Sequence, residues 1–134
     1  MNGRRIRGRL ARGMTLVEIM VVVAIIGMLM GTVGVYAYGR LEKARVSDTK
    51  MVIHNVEQAL VHYQTDNTDG CPKSIGDLVA QKYMPKEPKD AWGQPLIFVC
   101  PVTHNPDGAD ITSLGKDKKE GGEGTNADIH NWDM

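Results

Sequence analysis

No proline occurs before Pro72, no acidic residue before Glu18, and no charge of either sign between Ile19 and Tyr38. The missing proline leaves nothing to break a helix across the first half of the chain. The missing acids leave Arg4, Arg5, Arg7, Arg9 and Arg12 as an unbalanced basic tip. The uncharged run of 20 residues does not suit the solvent face of an ordinary surface helix. Cysteine is scarce too: Cys71 and Cys100 are the only two, and they form no C-x-x-C pair. The histidines (His54, His62, His104, His130) are scattered, so no His/Cys cluster makes a zinc site. No nucleophile–base pairing, phosphate loop or paired-carboxylate arrangement stands out, so a membrane-anchored enzyme has no catalytic constellation behind it.

The chain has 134 residues, with 16 basic and 16 acidic side chains, a length that suits one domain with a small water-soluble core. The neutrality is superficial. Without the five arginines ahead of Gly13, 11 basic residues face 16 acidic ones, a net of −5. A chain basic at its tip and acidic in its body is not built to coat nucleic acid.

Twenty helical residues rise about 30 Å, the hydrocarbon thickness of a bilayer. Ile19–Tyr38, rich in Val, Ile, Met and Leu, therefore reads as a membrane-crossing helix. The arginines on its N-terminal side place Met1 in the cytoplasm and the chain beyond Arg40 outside. A secretory signal peptide is the competing reading, but its apolar core is shorter, about 7–15 residues, and ends at a small-residue cleavage site. Glu18 stands at the head of this run, where a carboxylate close to lipid is costly. It is either a boundary carboxylate reaching headgroup water or half of a charge pair. Cleavage after Gly13 would create the positive partner, the α-amino group of Met14, which in a neighbouring subunit could meet Glu18 at low dielectric.

The string Arg12-Gly13-Met14-Thr15-Leu16-Val17-Glu18-Ile19 resembles the type IV prepilin motif: a basic leader, glycine, a hydrophobic residue, then Thr-Leu-x-Glu. The resemblance implies cleavage after Gly13 by a prepilin peptidase and N-methylation of Met14. The family more often has phenylalanine at that first mature position. Related pilins also often carry a proline in the membrane half. Here the neighbourhood reads Thr32-Val33-Gly34-Val35, and Gly27-x-x-x-Gly31 offers a small-residue packing face.

Beyond the membrane segment, Leu41, Ala44, Val52, Val56, Ala59, Leu60 and Tyr63 recur at helical spacing. One helix over 14–63 is expected, half in lipid and half amphipathic. Gln64 to Gly70 reads as a loop. Ser74-Ile-Gly-Asp77 resembles a helix-capping arrangement opening a short helix over 75–82, ended by Pro85 and Pro88. The apolar runs 96–100 and 109–114 predict two or three small strands. The fold class is α+β: a long N-terminal helix packed on a small domain with a short helix, a small antiparallel sheet and a long loop. The divisions are a leader at 1–13, a membrane and filament-core helix at 14–40, and a periplasmic domain at 41–134.

Asp90-Ala-Trp92-Gly93-Gln-Pro95 taken alone is a turn with a tryptophan. It is also similar to the Asp-Pro-Trp-Gly-x-Pro motif of the major pseudopilins of type II secretion systems, with Ala91 in place of the usual proline. The stretch 113–129, Ser-Leu-Gly to Asp-Ile with Trp132 following, is acidic and glycine-rich. On composition it is a solvated loop or a hard-cation site, and it is not an EF-hand. It resembles the calcium-binding loop of the same pseudopilins. Carried over by position, Asp117 and Asp128 would be side-chain ligands of Ca²⁺ and Leu114 and Thr125 would give backbone carbonyls. The family often has a second aspartate where Ala127 stands. In a reducing compartment Cys71 and Cys100 would be buried thiols; the inferred topology puts them outside the inner membrane, where a disulfide between them would persist.

These features imply a subunit that polymerises with its own copies into the pseudopilus of a type II secretion system. The expected partners are minor pseudopilins, the prepilin peptidase, the inner-membrane assembly platform and membrane lipid. The alternative is a type IV pilin of a surface fibre for adhesion, motility or DNA uptake. It shares the N-terminal motif but not the Trp92 segment or the acidic loop.

Overall fold

The computed structural model describes residues 13–68, 70–101 and 108–134. The expected leader, apart from Gly13, and His104 lie outside the described residues. The chain divides into two units, Met1–Tyr38 and Gly39–Met134. Helix α1, Leu16–Asp66, is followed by the short α2, Ile75–Ala80, and by strands β1 (Ile97–Val99), β2 (Asp110–Ser113) and β3 (Ile129–His130). This is the expected α+β arrangement.

α1 begins with a reciprocal cap. Thr15 accepts the first helical bond from the Ile19 amide through its carbonyl. Its hydroxyl accepts from the Glu18 amide at 3.3 Å, and the Thr15 amide donates to Glu18 Oε2 at 3.0 Å. This is a capping box, two otherwise unsatisfied donors closed by two side chains. Every described side chain from Gly13 to Leu41 is exposed. An apolar helix of this length left bare to water would be strongly unfavourable, so this segment belongs in lipid or against other helices.

In the second unit the buried face of α1 differs from the expected stripe. Leu41 and Ala44 are exposed, while Glu42, Thr49 and Ile53 join Val56, Ala59, Leu60 and Tyr63 inside. Hydrophobicity alone misplaced the face because two of its inward positions, Glu42 and Thr49, are polar and held by specific partners. Thr49 Oγ1 donates to the Arg45 carbonyl at 2.9 Å and accepts from the Ala91 amide at 3.1 Å. The helix also runs three residues past Tyr63. The Asn67 amide and its side-chain Nδ2 both donate to the Tyr63 carbonyl, at 2.9 and 3.0 Å, closing the last turn.

α2 stops at Ala80, before the prolines expected to end it. Lys82, at φ 65°, provides a left-handed turn. Its amide donates to the Val79 carbonyl and that of Tyr83 to the Leu78 carbonyl, the Schellman pattern usually built on glycine. At the other end Ser74 makes no side-chain cap; Asp77 Oδ2 instead accepts from the Lys73 amide at 2.9 Å.

The sheet order is β1-β2-β3, both pairs antiparallel. β3 was expected only as the end of a loop. Opposite Phe98, Ile111 is completely buried and joins Ile53, Val56, Leu78, Leu96 and Ile129 in one core. So few strands are marginal alone; packing on α1 and α2 provides the rest of their buried area. Cys71 and Cys100 form a disulfide across 29 residues.

Two outcomes are expected. Replacing both cysteines with serine should cost about 3 kcal/mol through the freed loop entropy, read as a lowered Tm of the mature protein in detergent. Tyr83 Oη donates to Asp66 Oδ2 at 2.8 Å, and this bond holds the phenol's pKa above its ordinary 10.0. The bond's contribution is fully present below the unfolded value and is lost as pH rises through the higher folded one. Phenolate absorbance should show one tyrosine titrating late, and Asp66→Asn should bring it back towards the ordinary value.

Candidate metal loop and assembly segment

The stretch from Asp90 to Gln94 folds into a turn because one carboxylate gathers its donors. Asp90 is 6% exposed. Its Oδ1 accepts from the amides of Trp92 at 3.0 Å and Gln94 at 2.8 Å. The Asp90 amide donates to the Gln94 carbonyl, and Gly93 takes φ 81° to close the turn. The other oxygen, Oδ2, accepts from Ser113 Oγ at 2.7 Å, and that hydroxyl in turn accepts from the Gly115 amide. Gln94 Nε2 donates to the Gly115 carbonyl at 2.9 Å. The two sequence motifs read separately, the Trp92 turn and the Ser-Leu-Gly start of the acidic loop, are thus bonded to each other. Trp92 itself is only half-buried.

From Gly115 the loop folds back on itself. The Lys116 amide donates to the Thr125 carbonyl at 3.3 Å, the Asp128 amide to the Gly121 carbonyl at 3.2 Å, and the Gly121 amide to Asp128 Oδ2 at 2.9 Å. Gly115 and Gly122 are required by close approach. A Cβ on them would lie 2.7 Å from the Ala127 carbonyl oxygen and 2.4 Å from that of Asn126, respectively. Both also sit at positive φ, where side chains are strained.

Of the expected ligands, Asp128 is half-buried, and its Oδ1 is a buried oxygen with no donor. An uncompensated carboxylate oxygen is costly to bury, and a hard cation is one group that compensates it. Asp117 is exposed, its Oδ1 accepting from the Lys119 amide at 3.1 Å. Leu114 and Thr125 are half-buried, and Thr125 directs its carbonyl across the loop to Lys116. Among the described residues no three Asp, Glu, His or Cys side chains gather at one point, so a cation here would depend on backbone carbonyls. Donor type and the orphaned Asp128 Oδ1 both fit Ca²⁺.

Sequence reasoning missed three contributors. Asn131 Nδ2 donates to Glu57 Oε1 at 2.9 Å and to the Ala109 carbonyl at 2.8 Å, while its Oδ1 accepts from the Ile111 amide. It fastens the chain after the loop to α1 and β2 together. Asp90 was read only as part of a motif, and Glu42 was not singled out. The Thr15–Glu18 cap also went unread, although Thr-x-x-Glu before an apolar run is a helix-start pattern that could have found it. Gly13 and Met14, the residues expected to be processed, are both exposed.

Known proteins match the chain along two stretches. A model of the prokaryotic N-terminal methylation motif matches residues 8–34, which defines the class: chains carrying a prepilin-type N-terminal segment. A model described as type II secretion system (T2SS), protein G, matches residues 37–132. The type II secretion system core protein G of Pseudomonas aeruginosa is 37% identical, covering 90% of this chain and 94% of its own. The proteins of the same name from Vibrio cholerae serotype O1 and Escherichia coli K12 are 35% and 33% identical, over 91% and 92% of this chain. The chain belongs to the type II secretion system protein G family, the major pseudopilins, rather than to the surface-fibre pilins.

Asp90→Ala should cost about 3 kcal/mol by stranding three donors. Amide exchange should rise at Ser113 and Gly115 as well as in the turn. Exchange confined to 90–94 would show that the two motifs are not coupled.

Proposed function

We propose that the chain is a structural subunit that polymerises into the periplasmic pseudopilus of a type II secretion system. A prepilin peptidase removes residues 1–13, and Met14 becomes the methylated N-terminus. The subunit then waits in the inner membrane, N-terminus cytoplasmic, until the assembly platform extracts it into a filament with its own copies and minor pseudopilins. The observation that carries this reading is the bare apolar stretch of α1, exposed throughout from Gly13 to Leu41, in a chain whose remainder matches the secretion family. That stretch is long enough to cross a bilayer, and leaving lipid for a bundle of like helices keeps it out of water in both states.

Glu18 has two tasks in this reading. It caps its own helix in the subunit, and its charge meets the Met14 amine of a neighbour in the filament. Glu18→Gln separates them, because glutamine still serves a capping box but carries no charge. It should be processed and inserted normally yet give little or no filament in shearing assays. Filament yield equal to the parent's would remove the charge pair.

Calcium is the cofactor proposed for the loop, with Asp117 and Asp128 as side-chain ligands and the carbonyls of Leu114 and Thr125 completing the set. The ion would supply the positive charge that Asp128 Oδ1 lacks. Binding to the folded state alone stabilises it by about 2.7 kcal/mol at a hundredfold excess over Kd. Adding Ca²⁺ to chelator-treated protein should therefore raise Tm, and Asp128→Ala should abolish the rise. No rise in the parent protein would refute the site.

A further inference from the structure

Glu42 is the first described side chain of α1 that the protein covers, and it is a carboxylate, 4% exposed. Its Oε1 lies 3.2 Å from an Arg45 guanidinium nitrogen and 3.5 Å from Lys116 Nζ. Oε2 is buried with no donor. Arg45 is a neighbour one turn along the same helix. Lys116 comes from the root of the acidic loop, and its amide already spans that loop to the Thr125 carbonyl. A single residue therefore joins the two sides of the loop through its backbone and fastens them to α1 through its side chain.

The location of that ammonium has an electrostatic consequence. Lys116 directly precedes Asp117, and an uncompensated positive charge there would repel a divalent cation at the loop. Drawn onto a buried carboxylate that it shares with Arg45, the charge is partly neutralised.

We propose that Glu42 and Lys116 form a tether that holds the root of the 114–128 loop on α1 without any cation. By partly neutralising Lys116, Glu42 also lets Asp117 and Asp128 accept one. The second half rests on the calcium reading above; the first does not. Glu42 is a positioning residue, since it acts on the loop through Lys116.

Mature full-length protein in detergent tests both halves, with hydrogen exchange at the Lys116 and Asp128 amides and Ca²⁺ titration as readouts. In EDTA, Glu42→Gln and Lys116→Met should each lower protection roughly three- to tenfold, with the double variant no worse than either, as contact pairs behave. Lys116→Arg should retain protection. Glu42→Gln should weaken Ca²⁺ binding several-fold, and adding Lys116→Met should restore it. Unchanged protection in both single variants, or additive losses in the double, overturns the tether. Parental Ca²⁺ affinity in Glu42→Gln overturns the neutralising role. A parent protein with no Ca²⁺ response removes the calcium reading and the neutralising role together, while the EDTA measurements still decide the tether. If Glu42→Gln fails to fold, the half-exposed Lys116→Met decides it alone.

Discussion

The Asp90 carboxylate is the constraint on which the second unit's irregular half depends. Four groups in the turn, β2 and the start of the loop (the Trp92 and Gln94 amides, Ser113 Oγ and the Gly115 amide) are within one or two hydrogen bonds of it. Regular secondary structure contributes little there, since the three strands are two to four residues long. A short strand and a glycine-rich loop have few cooperative backbone bonds to hold them. A buried, ionised acceptor with well-aligned donors supplies directional bonds stronger than neutral ones. The cost of burying that charge is met only if all its donors stay in place, so the turn and the loop root are ordered together.

The acidic loop is then organised from two directions. Asp90, through Ser113, and Gln94 hold Gly115 from the turn side, and Asn131 fastens the far end to Glu57 of α1. Between these anchors the loop's own bonds join main chain to main chain and to one oxygen each of Asp117 and Asp128, leaving Asp128 Oδ1 without a donor. The family likeness extends to this region, although Ala127 stands where an aspartate is frequent. For the proposed cation, one carboxylate fewer would shift the ligand burden to carbonyls, and the close-packed glycines bring backbone oxygens together.

The first unit follows a different physics. Its helix is capped at the head by Thr15 and Glu18 and otherwise exposes apolar side chains. Gly27 and Gly31 have no protein atom near the position a Cβ would take. That surface is left for lipid and for other helices, where small residues permit close backbone approach.

What the sequence by itself determined were the features that depend on neighbours along the chain. The apolar run, the prepilin-type motif, the long helix and the two main strands follow from residue type and local period. The state of Cys71 and Cys100 was left to the compartment, and the folded chain joins them in a disulfide. The tertiary structure decided which face of α1 turns inward, because Glu42 and Thr49 are buried through partners 74 and 42 residues away rather than through their own hydrophobicity. It decided that the Trp92 turn and the acidic loop are one bonded unit, joined across 23 residues by Asp90 and Ser113. It also decided that α2 ends on a left-handed lysine before any proline acts. A hydrogen bond needs its donor and acceptor about 3 Å apart. Period and composition carry no information about which distant pair satisfies that, and only the folded chain brings the two groups together.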